Sequence, residues 1–136
     1  MEYKLNEEYG GTIIETGSSN SISYDKFSSG LLIQRGIFPR EDFSTSSDFF
    51  STVQGIKWYR SSLKTINLPI TYNGDYEIFI NTSTGLDGAR FNIPRIADKL
   101  SNMFSFQLIG VEPYTESSIG FKNLNSVEIM AIGRWK

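Results

Sequence analysis

Apolar and polar positions alternate along this chain in short runs, and turn-forming residues separate the runs. Residues 30–38 form an apolar-rich run that ends at Pro39, whose missing N–H cannot continue a central ladder, so we predict a strand there. Residues 104–111 alternate between apolar and polar side chains, which also predicts a strand. Residues 127–136 form a final run that is apolar on both faces, and a strand of that kind needs cover on both faces.

The clearest turn signal is Asn73-Gly74, which lies between the apolar runs 64–70 and 76–81. Both turn residues tolerate a positive φ, so the pattern predicts a hairpin. The second run is predicted to be a strand with a core face and a mixed face: Tyr76, Ile78 and Ile80 on the core face, and Glu77, Phe79 and Asn81 on the mixed face.

The rest of the pattern adds short strands and hardly any helix. Residues 49–59 predict a strand with a break at Gly55, and residues 95–100 are the one segment that suggests a short helix. Residues 1–23 are predicted to be an extended lead-in, because residues 10–23 hold few large apolar side chains. We therefore expect residues 1–136 to form a single all-β domain, an antiparallel β-sandwich with a jelly-roll-like arrangement.

The composition limits which catalytic groups and metal sites the protein can contain. The chain has no Cys and no His, which excludes disulfides, thiolate metal sites, Ser-His-Asp and Cys-His nucleophiles and zinc hydrolases. Carboxylates, Lys, Tyr and a hard, oxygen-ligated cation remain as catalytic options. We expect no catalytic residue, no cofactor and no bound metal.

The charge balance and the start of the chain bear on partners. The chain has thirteen Lys and Arg and fifteen Asp and Glu, which give a formal charge of −2. It therefore lacks the excess of basic residues that nucleic-acid binding usually requires. The acidic residues 1–8 contain no apolar segment typical of a secretion signal, and no window approaches a membrane-spanning length. We expect no nucleic acid partner and no membrane insertion.

Three blocks of sequence, taken in order, resemble the C-terminal receptor-binding domains of bacteriophage tail fibre proteins, several of which fold like H-type lectins. The first block is IIETGSSN at 13–20, followed by YDKFSSGLLIQRG at 24–36. The second is INLPI at 66–70, followed by Tyr76, and the third is the ending AIGRWK at 131–136. Their order and spacing carry the likeness, which extends from about residue 13 to residue 136.

The resemblance implies a homotrimeric β-sandwich at the distal tip of a fibre, which binds a host cell-surface glycan. It also implies a virion tail protein that is assembled in the bacterial cytoplasm and joined to the rest of a fibre or baseplate. Independently, a cyclic oligomer is one way to cover the second apolar face of the last strand. Trp135 is assigned to the core or to a subunit interface.

Aromatic and charged side chains supply the candidate ligand-binding residues. Trp58, Tyr59 and Arg60 combine flat apolar faces with a guanidinium, which suits a sugar ring. The alternative is that Trp58 is a buried core residue and Tyr59 lies at an interface, with no role in binding. Tyr72 and Tyr114 lie in predicted turns and are expected to be exposed.

A second candidate group is Asp87 with Arg90, which would bind sugar hydroxyls or a calcium ion. The chain has no Asp-x-Asp-x-Asp-Gly spacing, so an ordinary turn is the favoured interpretation of this segment. Two carboxylate pairs, Asp75 with Glu77 and Glu112 with Glu116, are the nearest approach to a glycosidase site.

The leading hypothesis is thus a non-enzymatic saccharide-binding tip of a phage tail fibre. One alternative is a structural cap or trimerisation domain that binds no ligand. The other is a carboxylate-based polysaccharide depolymerase.

Overall fold

A computed structural model describes most of the chain, in the ranges 11–43, 51–53, 55–84, 92–110 and 124–136. Within these ranges the protein is all-β, as predicted, with one short 3-10 helix and no α-helix. The strands are β1 (Ile13–Ser19), β2 (Ile22–Phe27), β3 (Leu31–Pro39), β4 (Ser51–Val53), β5 (Ile56–Arg60), β6 (Lys64–Asn67), β7 (Glu77–Thr84), β8 (Asn92–Leu100), β9 (Met103–Gly110) and β10 (Leu124–Arg134), and the 3-10 helix is Arg40–Asp42.

Five strands form the first antiparallel sheet, sheet 1, in the order β1-β2-β3-β10-β7. Strand β10 lies inside this sheet and pairs with β3 on one side and β7 on the other. Its side chains alternate, with Val127, Ile129 and Ala131 buried and Met130 and Ile132 half-buried on the opposite face. The predicted strand that is apolar on both faces is therefore confirmed.

The second antiparallel sheet, sheet 2, is organised around β9. One edge of β9 pairs with β8 along its length, from Asn92 opposite Gly110 to Leu100 opposite Met103. The other edge pairs first with β5 and then with β6, and β4 pairs with β5. Strand β8 is therefore an edge strand among the described residues; it contains Pro94, and its pairing with β9 has a bulge between Ile96 and Asp98.

Among the described residues, an apolar core lies between the two sheets. Leu32 and Ile129 from sheet 1 pack in the same buried cluster as Phe104, Phe106 and Leu108 from sheet 2. All five side chains are at most 2% exposed. Two antiparallel sheets that share one core are consistent with the β-sandwich predicted from the sequence.

The predicted short helix at residues 95–100 was wrong. Residues 95–100 belong to β8, because pairing with β9 fixes an extended backbone in a segment whose many charged side chains are exposed. Most of the described part of the predicted lead-in, residues 11–23, is integrated into sheet 1 as β1 and the start of β2. The turn between these strands is built on Asn20 and Ser21, both with positive φ.

The predicted hairpin at Asn73-Gly74 was also wrong. The flanking strands β6 and β7 belong to different sheets, so this turn lies in a connection that crosses from sheet 2 to sheet 1. Gly74 does have the expected positive φ, at 93°. The predicted faces of β7 are confirmed, since Tyr76 and its alternate neighbours pack inward while Phe79 is 57% exposed.

A buried amide ties this crossing connection to sheet 1. Gln34 on β3 is fully buried, and its Nε2 donates to the carbonyl oxygen of Ile70 at 2.9 Å. The N–H of Ile70 donates back to Gln34 Oε1 at 3.0 Å. The side chain thus satisfies both backbone polar groups of Ile70, as a neighbouring strand would do.

Replacement of this amide tests its structural role. We expect Gln34→Leu to lower the free energy of unfolding by about 2 to 4 kcal/mol, because the N–H and C=O of Ile70 lose their partner. Urea denaturation measures the change. Asn67→Leu, at an exposed amide on β6, is the matched control and should change stability by less than about 0.5 kcal/mol. Equal stability of the two variants would contradict the assigned role.

Candidate functional site

The predicted Trp58-Tyr59-Arg60 cluster lies on β5, and strand alternation divides it between two faces. Tyr59 packs against the core, opposite Gly110 of β9. Arg60 is exposed on the other face, and Trp58 shares that face and is half-buried. The indole Nε1 of Trp58 is buried without a hydrogen-bond partner among the described residues. Trp58 and Arg60 therefore remain together as candidates, whereas Tyr59 contributes to packing.

The expected exposure of Tyr72 was wrong. The side chain is 3% exposed, and its hydroxyl donates to the carbonyl oxygen of Ala131 at 2.6 Å. Its ring stacks on Tyr76 with centroids 4.3 Å apart. The Tyr72 ring and Cβ of Tyr76 both lie against Gly133, where an added Cβ would sit 2.7 Å from Cβ of Tyr76. The sequence next to Tyr72 is a turn, but the side chain points between the sheets, so Tyr72 is a core residue.

Three further candidates, Asp87, Arg90 and Tyr114, lie outside the described residues, and their assignment stays a prediction. Glu112 and Glu116, the second carboxylate pair, also lie outside them.

In the first carboxylate pair, Asp75 lacks the raised pKa of a catalytic acid. Asp75 Oδ1 lies 2.7 Å from Lys99 Nζ, and the hydrogen bond from Lys99 lowers the pKa of this exposed carboxyl. A glycosidase acid requires the opposite shift. Within the described ranges, no three acidic side chains gather in a way that would hold a metal ion.

Sequence reasoning missed a groove of about 960 Å³ on the outer face of sheet 1, which we call the sheet-1 groove. Its lining includes Phe79, Met130 and Arg35, which lie side by side on β7, β10 and β3. A second row of neighbours, Asn81, Glu128 and Ile37, lies next to the first in the same register. These are the positions that alternate with the core residues of the three strands, so the groove faces solvent.

The sheet-1 groove combines apolar contact area with hydrogen-bonding groups. Phe79 and Ile37 are 57% and 64% exposed, which is high for large apolar side chains in a sheet. Arg35 Nη2 lies 3.0 Å from Asp25 Oδ2, so the guanidinium is held in an ion pair beside the groove. The sequence indicated this surface in part, through the mixed face of β7 and the second apolar face of β10. The pairing register of the strands, which places these faces side by side, could not be predicted from the sequence.

A smaller cavity of about 440 Å³, which we call the polar pocket, adjoins the groove. Ser21 and Ile37 line both cavities. The polar pocket is otherwise lined mainly by hydrophilic side chains: Asn20, Asp42, Lys64, Thr65 and Asn67. Lys64 Nζ forms an ion pair with Asp42 Oδ2 at 2.9 Å and lies 4.7 Å from the centre of the Phe38 ring.

Comparisons of the chain with protein-family models, with curated proteins and with solved structures find no match. In the described part of the chain, no helix has the length and apolar character needed to cross a membrane. The geometry of the described surfaces is therefore the basis for a functional assignment.

The stacked tyrosines predict how stability depends on pH. Burial raises the pKa of Tyr76 to about 12, and burial also raises the pKa of Tyr72. Between the ordinary tyrosine pKa of about 10 and these higher values, the unfolded chain releases protons that the folded chain retains. The contribution of the two tyrosines to the free energy of unfolding is therefore fully present below about pH 10. It decreases as the pH rises towards 12, by up to about 1.4 kcal/mol per pH unit for each tyrosine.

Urea denaturation between pH 9 and pH 11.5 tests this dependence, with Tyr76→Phe as the comparison. The variant should lose stability at neutral pH, because hydrogen bonds to the carbonyl oxygens of Leu100 and Met103 disappear. Its decline above pH 10 should nevertheless be shallower than that of the wild type. Identical slopes would show that Tyr76 does not titrate abnormally in the folded state.

Proposed function

We propose that this domain is the receptor-binding tip of a bacteriophage tail fibre, which binds a bacterial cell-surface saccharide without catalysing a reaction. The three ordered sequence blocks that resemble such domains support the proposal, and the all-β fold is compatible with it. The proposed binding site is the sheet-1 groove.

One observation carries the site assignment: an exposed aromatic ring lies in a concave surface among hydrogen-bonding side chains. Phe79 presents a flat apolar face of the kind that packs on the C–H face of a sugar ring. Arg35, Asn81 and Glu128 line the same groove and provide donors and acceptors for hydroxyl groups. A groove of about 960 Å³ is at the upper end of the usual size of small-molecule sites.

The surface around Trp58 and Arg60 is a second location for the same function. The buried indole N–H of Trp58, without a partner among the described residues, is a donor that a ligand could satisfy after local rearrangement. This surface lies on sheet 2, away from the sheet-1 groove, so separate substitutions distinguish the two locations.

The proposal includes self-association as a homotrimer. Exposed apolar side chains on the edge strand β8, Ile93 at 45% and Leu100 at 60%, would be covered by association with identical copies. Fixed copies would also raise the effective concentration of each weak saccharide site.

Substitution of the groove aromatic tests the assigned site. We expect Phe79→Ala to weaken binding to host cells or to a glycan array about tenfold, because the sugar loses its apolar platform. Leu63→Ala removes another exposed apolar side chain, 55% exposed and outside the groove, and should bind as the wild type does. A loss in Trp58→Ala with none in Phe79→Ala would move the site to sheet 2.

Light scattering of the purified chain tests the assembly. A homotrimer has three times the chain mass of 15.4 kDa. A monomer at micromolar concentration would contradict the proposed trimer. A stable trimer that binds neither host cells nor any glycan would favour the structural cap instead.

A further inference from the structure

The sheet-1 groove and the polar pocket are neighbouring parts of one surface. Both are lined by Ser21, in the turn between β1 and β2, and by Ile37 on β3. Beyond Ile37 the strand continues to Phe38 and Pro39, which line the polar pocket alone. A ligand in the groove that extends past Ile37 therefore enters the polar pocket.

We infer that the two cavities form one cleft for an oligosaccharide of at least two sugar units that carries no anionic group. This inference rests on the proposed saccharide-binding function and adds the length and the charge class of the ligand. One unit would occupy the sheet-1 groove, and the next would occupy the polar pocket.

The two parts of the cleft have different chemistry. In the groove, Phe79, Met130 and Ile37 offer apolar area, which suits a sugar with an exposed C–H face or a methyl-bearing substituent. In the polar pocket, the exposed side chains of Thr65 and Asn67 offer hydroxyl and amide groups, which suit a sugar bound mainly through its hydroxyls. A single small sugar would use only one of these two sets of contacts.

The charges of the cleft disfavour an anionic ligand. Its two lining cations are already paired, Arg35 with Asp25 at 3.0 Å and Lys64 with Asp42 at 2.9 Å. Glu128, also in the lining, is exposed and forms no ion pair among the described residues. A uronic acid or a phosphate-bearing sugar would therefore meet no unpaired cation and one unpaired carboxylate, which disfavours its binding.

The junction between the two cavities has a defined backbone conformation. Asn20 and Ser21 adopt positive φ angles of 54° and 65° in the two-residue turn that joins β1 to β2. Such a turn is fixed by the pairing of its two strands, which runs through Ser18 opposite Ser23 and Ser19 opposite Ile22. The turn thus holds Ser21 at the junction of the groove and the pocket.

The experiment has two stages and uses the full chain. First, a printed array of bacterial polysaccharides, both neutral and bearing uronic acid or phosphate, identifies the preferred charge class. Second, fragments of the strongest-binding polysaccharide, from the monosaccharide upward, are titrated by calorimetry against the wild type and three variants. The variants are Phe79→Ala, the double substitution Thr65→Ala with Asn67→Ala, and Asn73→Ala, an exposed amide outside both cavities.

We expect neutral polysaccharides to bind best and affinity to rise at least about tenfold from the monosaccharide to the longer fragments. The Thr65 and Asn67 double variant should bind the longer fragments about three- to tenfold more weakly, yet bind the monosaccharide as the wild type does. Phe79→Ala should weaken binding of every fragment, and Asn73→Ala should weaken none.

Other results separate this inference from the proposed function. A preference for charged polysaccharides, equal affinity for the monosaccharide and longer fragments, or an unaffected double variant would overturn the two-part cleft and leave saccharide binding intact. Absence of binding to every glycan would contradict the proposed function itself, and the cleft assignment with it.

Discussion

The alternation of side chains along β10 is the constraint on which the rest of the structure depends. One set of its residues, represented by Ile129 and Ala131, is buried between the sheets with Phe104 and Phe106 of β9. The other set, represented by Met130, is thereby directed outward, between Phe79 on β7 and Arg35 on β3. Because the period of a strand is two residues, burial of the inner set determines the outer set as well. The core and the sheet-1 groove are two results of the same register.

The sequence predicts those parts of the fold that depend on local hydrophobic patterns. The strands β3, β9 and β10 and the two faces of β7 follow from alternation and from the stop at Pro39. Prediction failed where long-range pairing decides the conformation, as in β8, which is mostly exposed and extended because it pairs with β9. It failed also at Asn73-Gly74, where the local turn signal is genuine but the flanking strands join different sheets.

The candidate site was less predictable, because its residues are far apart in the sequence. Arg35, Phe79 and Met130 become neighbours only through the pairing of three strands, and no local motif contains them. Conversely, the local cluster at Trp58 and Tyr59 looked like a site but is divided by alternation, and Tyr72 is buried although it lies beside a turn. Turn chemistry predicts where the backbone reverses, but it does not determine which side chains of the turn are solvated.

The interleaving of core and groove positions has a consequence for how the surface of the sheet-1 groove can change during evolution. Outward residues such as Arg35 and Glu128 can be exchanged one at a time, because their inward neighbours on β3 and β10 keep the sheets together. An insertion or deletion of one residue within either strand would instead reverse the faces of the residues beyond it, and would expose core side chains such as Ile129. This surface can therefore change through point substitutions, whereas insertion or deletion of one residue within a strand would disrupt the core.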